Sequence, residues 1–289
     1  MNYSIIIPYN ELPDLLLRAV KSIPDRADIE IIIINNGTVA LSDELFETRQ
    51  HVQVLWDAVG KGAGAARNIG VSKAKGEWLV FLDADDYLTE GAFDAMDSHL
   101  QDQEDIVFFK VCCVRSEDGS PAGRHMAFNQ LIDRYVQTRD EGALRYEWTS
   151  PWGKMIRSRL VNSHAIRFDE TRAANDIFFS LLTGYHAEHV SADERTIYCV
   201  TERSGSLTTT PSLHNLRDRI EVSIRYNRFV QTHHLRRYRK SIMYYLSLIA
   251  RHYGYGEALK MLWFSIRSGN NPLIGCTRWL QTARKSNNR

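Results

Sequence analysis

The first 110 residues carry three short apolar runs separated by stretches of helical period. YSIIIP (3–8), IEIIIINNG (29–37) and EWLVFLD (77–83) are β-branched or aromatic, and each ends at Pro, Asn-Gly or Asp. That pattern predicts strands buried on both faces. Between the first two, ELPDLLLRAVKSI sets Leu15, Leu16, Ala19, Val20 and Ile23 at helical spacing after a Pro-Asp start, which completes a βαβ unit. VQVLW (52–56) predicts a further strand, and GAGAARNIGVSKAKG (62–76) a second helix, opened by Gly62 and Gly64 and closed by Gly76. Strands alternating with helices predict a mostly parallel sheet with its ligand crevice at the carboxyl ends of the strands. Pro8, Asn35, Asn36 and Asp83 are therefore expected along one edge of the fold.

Farther on, EDIVFFKVCCVRS (104–116) predicts a strand, with room for a small hairpin after it, and SEDGSPAGRH a loop. The aromatic and Trp-Gly content of residues 146–170 suits the wall of a groove. TRAANDIFFSLLTGYHAEHV (171–190) predicts a helix that begins near Asn175 and Asp176. TIYCVTERSGSLTTTPS reads as a strand and a Ser/Thr-rich loop, and the remainder is helical and basic.

A chain of 289 residues holds one large α/β domain with a helical appendage, or two domains. Its 44% hydrophobic and 25% charged residues are those of an ordinary globular protein. The net charge of +1 conceals an asymmetry. From Arg217 to the end there are 15 Lys/Arg against 3 acids, a balance of +12 that leaves −11 for residues 1–216. No apolar stretch approaches the roughly 18–20 residues of a membrane span, and MNYSIIIPYN lacks the basic start of a signal peptide. A cytoplasmic location is expected. Cys112, Cys113, Cys199 and Cys276 have neither zinc nor disulfide-framework spacing and are expected as buried thiols.

GEWLVFLDADDYL (76–88) brings in the chemistry. The apolar run from Trp78 to Leu82 stops at Asp83, Asp85 and Asp86, so a buried strand would deliver three acids to its carboxyl end. Crowded carboxylates raise one another's pKa and stay ionised only beside a cation, and an oxygen-rich set suits Mg²⁺ or Mn²⁺. A solvated turn, or a helix N-cap from Asp85 or Asp86, is the plainer alternative.

SIIIPYNEL, IEIIIINNG, GAARNIGVSKAKGEWLVFLDADD, PWGKMIRSRLV, NDIFFSLL and ERSGSLTT follow one another in the order and approximate spacing of family 2 glycosyltransferases. Over about residues 3–210 the chain resembles bacterial members that build capsular or lipopolysaccharide glycans, most specifically from Gly64 to Asp86. The resemblance implies an α/β, GT-A (Rossmann-like) fold: a mostly parallel sheet flanked by helices. It places a catalytic domain at 1–210, with a nucleotide-binding half about 1–115 and an acceptor half about 116–210, before a basic helical region at 211–289. The implied activity is metal-dependent, inverting transfer of a sugar from a nucleoside-diphosphate sugar, a UDP-sugar first, to a glycan or lipid-linked acceptor in surface polysaccharide assembly.

By the same resemblance, Asp83 and Asp85 form the acidic motif around Ala84. Asp83 would meet the ribose, and Asp85 with Asp83 would hold Mn²⁺ or Mg²⁺ at the diphosphate, with Asp86 in support. Pro8, Tyr9, Asn10, Glu11, Asn36, Arg67 and Asn68 would contact the donor nucleotide. Asp176 would take the proton from the acceptor hydroxyl, and an N-cap role for Asn175 or Asp176 is the alternative. Trp152 and Lys154 would contact the acceptor, although Trp152 equally fits a core. Ser204 and Ser206 would reach the diphosphate or form a plain turn.

Three positions depart from the family pattern. Asn35, Asn36, Gly37 and Thr38 stand where the family usually has Asp-Asp-Gly-Ser. Asn both donates and accepts whereas a carboxylate only accepts, so base recognition is less predictable. IPYN is one residue shorter than the family's Ile-Pro-X-Tyr-Asn, and Asn175 replaces the first acid of the downstream pair. These departures motivate one alternative, a non-catalytic sugar-nucleotide or membrane-binding homologue. A haloacid-dehalogenase-like phosphatase, whose nucleophile also lies in an Asp-X-Asp at a strand end, is the other. The basic tail is expected to lie peripherally on the inner face of the cytoplasmic membrane, to pack on the acidic domain, or to pair two copies as a homodimer. No nucleic-acid recognition motif accompanies its charge.

Overall fold

The computed structural model describes residues 1–41, 43–57, 60, 62–203 and 212–274. The chain divides into two compact units, Met1–Thr171 with Phe178–Ser204, and Arg172–Ile177 with Gly205–Arg289. Residues 172–177 group with the second unit. Strands from both sides of residue 115 join one sheet.

The first unit runs β1 (Tyr3–Tyr9), α1 (Pro13–Lys21), β2 (Ile29–Asn35), β3 (Val52–Trp56), α2 (Ala63–Lys73), β4 (Trp78–Phe81), the two-residue β5 (Tyr87–Leu88) and α3 (Ala92–Asp97). It continues through β6 (Ile106–Arg115), α4 (Met126–Thr138), α5 (Gly142–Glu147), β7 (Lys154–Arg157), α6 (Ser158–Ser163), α7 (Ile177–His186) and β8 (Val190–Glu202). The strands form one sheet in the order β3-β2-β1-β4-β7-β6-β8-β5. β3, β2, β1 and β4 are mutually parallel. β7 runs antiparallel to both β4 and β6, and β6 is parallel to β8. Every residue of β1 and β2 is buried, as their unbroken apolar runs require of strands covered on both faces. β7 is the departure: the segment expected to wall a groove supplies a buried strand inside the sheet. The anticipated hairpin after β6 reduces to a single bridge between Val114 and Pro121.

Two glycines place α2. Gly62, at φ 91°, turns the chain into the helix in a conformation that disfavours a side chain. Gly70 lies flush on the sheet, where an added Cβ would fall 2.9 Å from Ile34 Cδ1 and closer still to Ile6 Cγ2. A helix held this near to β1 and β2 carries Arg67 toward the carboxyl end of β4. α7 is anchored by Phe179, which stacks on Phe168 (3.8 Å, 9°) and meets Phe81 of β4 edge-on (5.3 Å, 81°). Its last turn is closed by Arg145, which donates to the carbonyls of Gly184 (3.0 Å) and Ala187 (2.6 Å).

The second unit packs α8 (Leu213–Thr232), α9 (Met243–Tyr253) and α10 (Tyr255–Arg267) around Ile220, Ile224, Leu246, Ile249 and Met261. The Ser212 hydroxyl caps α8 by accepting from Asn215 N–H (3.1 Å). Cys113 and Cys199 are buried free thiols and Cys112 is half-buried. Cys276, Ser204 and Ser206 lie outside the described residues.

Candidate active site

Parallel register brings four chain exits to one edge. Tyr9 pairs with Asn35, and Asn35 with Trp56. Hydrogen bonds extend the row past the strands: Asn36 N–H donates to Tyr9 O (3.0 Å), Asp57 N–H to Asn35 O (2.8 Å) and Leu82 N–H to Ile6 O (3.1 Å). Pro8, Asn35, Asn36 and Asp83 therefore share the edge where ligands bind in open α/β sheets, as the alternation of strands and helices predicts.

The acidic turn after β4 is fastened from three elements. Arg67 of α2 donates to Asp83 Oδ1 at 2.5 Å. Asp86 is buried and accepts from the Tyr198 hydroxyl at 2.7 Å and from Thr201 N–H at 2.7 Å, both on β8. The same Tyr198 oxygen accepts from Asp83 N–H (3.1 Å), so one phenol bridges both ends of the motif. Arg18 of α1 donates to the Asp85 carbonyl (2.5 Å) and to Thr201 Oγ1 (2.9 Å), with its guanidinium over the Tyr87 ring. Behind the turn, Tyr198 stacks on Trp152 (5.5 Å, 19°).

This scaffold leaves the partly buried Asp85 carboxyl outside the hydrogen bonds that fasten the turn. Burial, then the Asp83 carboxylate, holds its carboxyl above the ordinary range, and the fields of Arg203 and Arg124 partly offset this. Burial, followed by Asp85 and Asp83, pushes Asp86 farther up, while burial and Asp86 keep the Tyr198 phenol protonated as a donor. Among the described residues no three His, Cys, Asp or Glu side chains converge into a metal cage. With Asp86 committed to β8, Asp83 and Asp85 remain. A pair of carboxylates suits Mg²⁺ or Mn²⁺, which are commonly held by one or two carboxylates plus substrate phosphates. The raised Asp85 carboxyl is one that a divalent cation would hold ionised.

Several residues expected at the donor have other work. Tyr9, the last residue of β1, is 5% exposed and belongs to the core. Asn68 spends its amide on Phe168, donating to its carbonyl (3.0 Å) and accepting from its N–H (2.8 Å). Arg67 is buried against Asp83, not turned to solvent. Glu11 accepts from both Thr38 N–H (3.0 Å) and the Thr38 hydroxyl, which fastens the β1 exit to the loop after β2. Asn10 is exposed, and Asn36, Ala84 and Asp85 are partly exposed at the sheet edge. Asn35 is consumed locally, donating to Val39 O (2.8 Å) and accepting from Gly37 N–H (3.0 Å).

Trp152 and Lys154 are 4% and 1% exposed, so neither lines an acceptor groove in this structure. Trp152 packs among Tyr198, Trp148 and Phe128, and the Lys154 ammonium lies over Phe108 (5.3 Å) and donates to Ser180 Oγ (3.3 Å). Asp176 is partly exposed and immediately precedes α7 along the chain. Arg18, Tyr198, Thr201 and Arg203 were not singled out from the sequence. Each is an ordinary helix or strand-end residue there, and only the sheet order brings β8 and α1 to the turn.

A mixed, mostly parallel sheet flanked by helices, with an acidic turn at the end of its fourth strand, is the GT-A architecture of nucleotide-sugar enzymes. The chain belongs to glycosyl transferase family 2, whose profile matches residues 4–163. It is 30% identical over 276 residues to the uncharacterized glycosyltransferase EpsJ of Bacillus subtilis, covering 89% of this chain and 72% of that protein. It is 26% identical to glycosyltransferase GlyG of Streptococcus pneumoniae over 76% of this chain and 77% of that one. The crystal structure of S. aureus TarS 1-349 in complex with UDP-GlcNAc shares the fold, with a TM-score of 0.58 and 21% identity. That match covers 78% of this chain and 65% of TarS 1-349, so the chain spans less than two thirds of that structure. Family membership makes this protein a glycosyltransferase and sets aside the phosphatase reading.

Proposed function

We propose that the protein transfers one sugar, with inversion, from a nucleoside-diphosphate sugar to a hydroxyl of a glycan or lipid-linked acceptor in surface polysaccharide assembly. The observation that carries the reading is the acidic turn, where Arg67, Tyr198 and Thr201 engage the Asp83 and Asp86 carboxylates, Tyr198 and Arg18 hold its backbone, and the Asp85 carboxylate has no hydrogen-bonding side-chain partner among the described residues. TarS structures hold UDP and UDP-GlcNAc, which supports a UDP-sugar as the first donor to test. Asp83 and Asp85 are the proposed ligands of Mg²⁺ or Mn²⁺, an ion that when bound would neutralise charge developing on the nucleoside-diphosphate leaving group. Asp176 is the proposed base for the acceptor hydroxyl. Asn10, Asn36 and the backbone at Ala84 are the proposed donor contacts on the sheet edge.

Calorimetric titration with UDP, GDP and CMP, each with and without Mn²⁺, tests this reading. Metal-dependent binding of UDP alone is the expected result. Failure of all three nucleotides to bind would favour a degenerate, non-catalytic homologue. Tyr198 provides a further test, as a positioning residue. Tyr198→Phe keeps the ring on Trp152 but removes the hydroxyl that joins Asp83 to Asp86. Turnover is expected to fall about tenfold with the circular dichroism unchanged, and Mn²⁺ is expected to bind more weakly. Wild-type Mn²⁺ affinity in this variant would show that the turn holds its shape without the phenol.

A further inference from the structure

We propose that the outer face of α10 is a docking surface for an anionic lipid bilayer, on which the second unit lies without crossing it. α10 buries Met261 and Ser265 and leaves Tyr255 (80% exposed), Leu259 (62%), Trp263 (61%) and Ile266 (48%) open. At about 3.6 residues per turn these four share one face. Single exposed apolar side chains are ordinary, whereas a continuous stripe of them marks an interaction surface.

The charge around the stripe selects the occupant. Lys260 and Arg267, each three or four positions from Trp263, are exposed along its border. Glu257, the acid within α10, is neutralised by Lys260 (2.6 Å) and Arg217 (2.7 Å). Among the described residues from Arg217 onward 11 Lys/Arg stand against 3 acids, so two copies meeting here would bring like charge together. An anionic bilayer complements both stripe and border. Tyr255 and Trp263 each join an apolar ring to a polar tip, the chemistry of residues at headgroup level. α10 has 13 residues and spans about 20 Å, short of the roughly 30 Å hydrocarbon core. No described helix is long and apolar enough to cross a membrane.

The test is flotation of the full-length protein with vesicles of phosphatidylglycerol and phosphatidylethanolamine in equal parts, against vesicles of phosphatidylcholine. The wild-type chain is expected to float with the anionic vesicles, weakly with the neutral ones, and less as salt is raised. Leu259→Ser with Trp263→Ser should lower binding at least about tenfold with the oligomeric state unchanged. Tyr255→Ser, at the helix's first and most exposed position, serves as the second variant should the double substitution disturb folding. Equal binding to both vesicle types, or anionic binding that survives these substitutions, overturns the proposal. So does a wild-type dimer in sedimentation that the double variant dissolves, since the stripe would then join two copies. The proposal stands on the second unit alone, so its failure leaves the transfer chemistry untouched.

Discussion

Asp85→Ala is expected to abolish Mn²⁺-dependent UDP binding and to lower turnover by about a thousandfold or more, because the charge developing on the leaving group would lose its counter-ion. The fold is expected to survive intact. Asp85 engages its neighbours through its carbonyl, which Arg18 holds, and a backbone contact persists in alanine. Melting temperature should stay equal or rise. The folded-state pKa of Asp85 is raised by burial and by Asp83, so the ionised carboxylate opposes folding above that pKa, and alanine removes the cost. The same shift sets a pH dependence in the wild-type protein: protons compete with the cation, so Mn²⁺ affinity should weaken as pH falls through the raised pKa of Asp85. Calorimetry across pH, with thermal denaturation of the variant, reads both effects. A variant that still binds UDP only with Mn²⁺ would remove Asp85 from the metal site.

Asp176→Asn is expected to cut turnover by about 10²- to 10⁴-fold, the usual contribution of a general base, while UDP affinity measured calorimetrically stays near the wild-type value. The substitution is a clean one, because Asn caps a helix as well as Asp does and α7 begins at the next residue. A purely capping role therefore predicts normal turnover from the variant, whereas a proton-accepting role predicts a protein that binds donor and does not transfer. Release of UDP from a UDP-sugar distinguishes the two, and near-normal release would end the base assignment.

The parallel part of the sheet was legible in the chain because its signals are local. The runs at 3–8, 29–37, 52–56 and 77–83 became β1, β2, β3 and β4 within a few residues, and the helix expected at 62–76 became Ala63–Lys73. Two-sided burial of a parallel strand demands an apolar run, and the acids that end one run must emerge at its carboxyl end. β7 was missed. Its four residues, Lys154–Arg157, begin with a lysine and form a strand only because β4 and β6 flank them. Trp152 and Tyr9 show the same limit from the other side, since an aromatic residue near a strand end suits a ligand platform or a core equally until its neighbours are known.

By itself, then, the sequence determined the α/β class, the parallel strands, the family and the acidic motif with its place at a strand end. The class, the strands and the motif follow from residue spacing within a few tens of positions, and the family from the resemblance of several such motifs in order. Only the tertiary structure decided what each acid touches. Asp83, Asp85 and Asp86 are chemically alike in the chain, and they diverge because α2, α1 and β8 bring Arg67, Arg18, Tyr198 and Thr201 to the turn from 16 to 115 residues away. Hydrogen bonds satisfy Asp86 and pair Asp83, whereas the partly buried Asp85 carboxyl has no such side-chain partner among the described residues. The physical reason is that a carboxylate's role is set by the donors and solvent around it, and those are contributed by sheet order and helix packing rather than by neighbours in sequence.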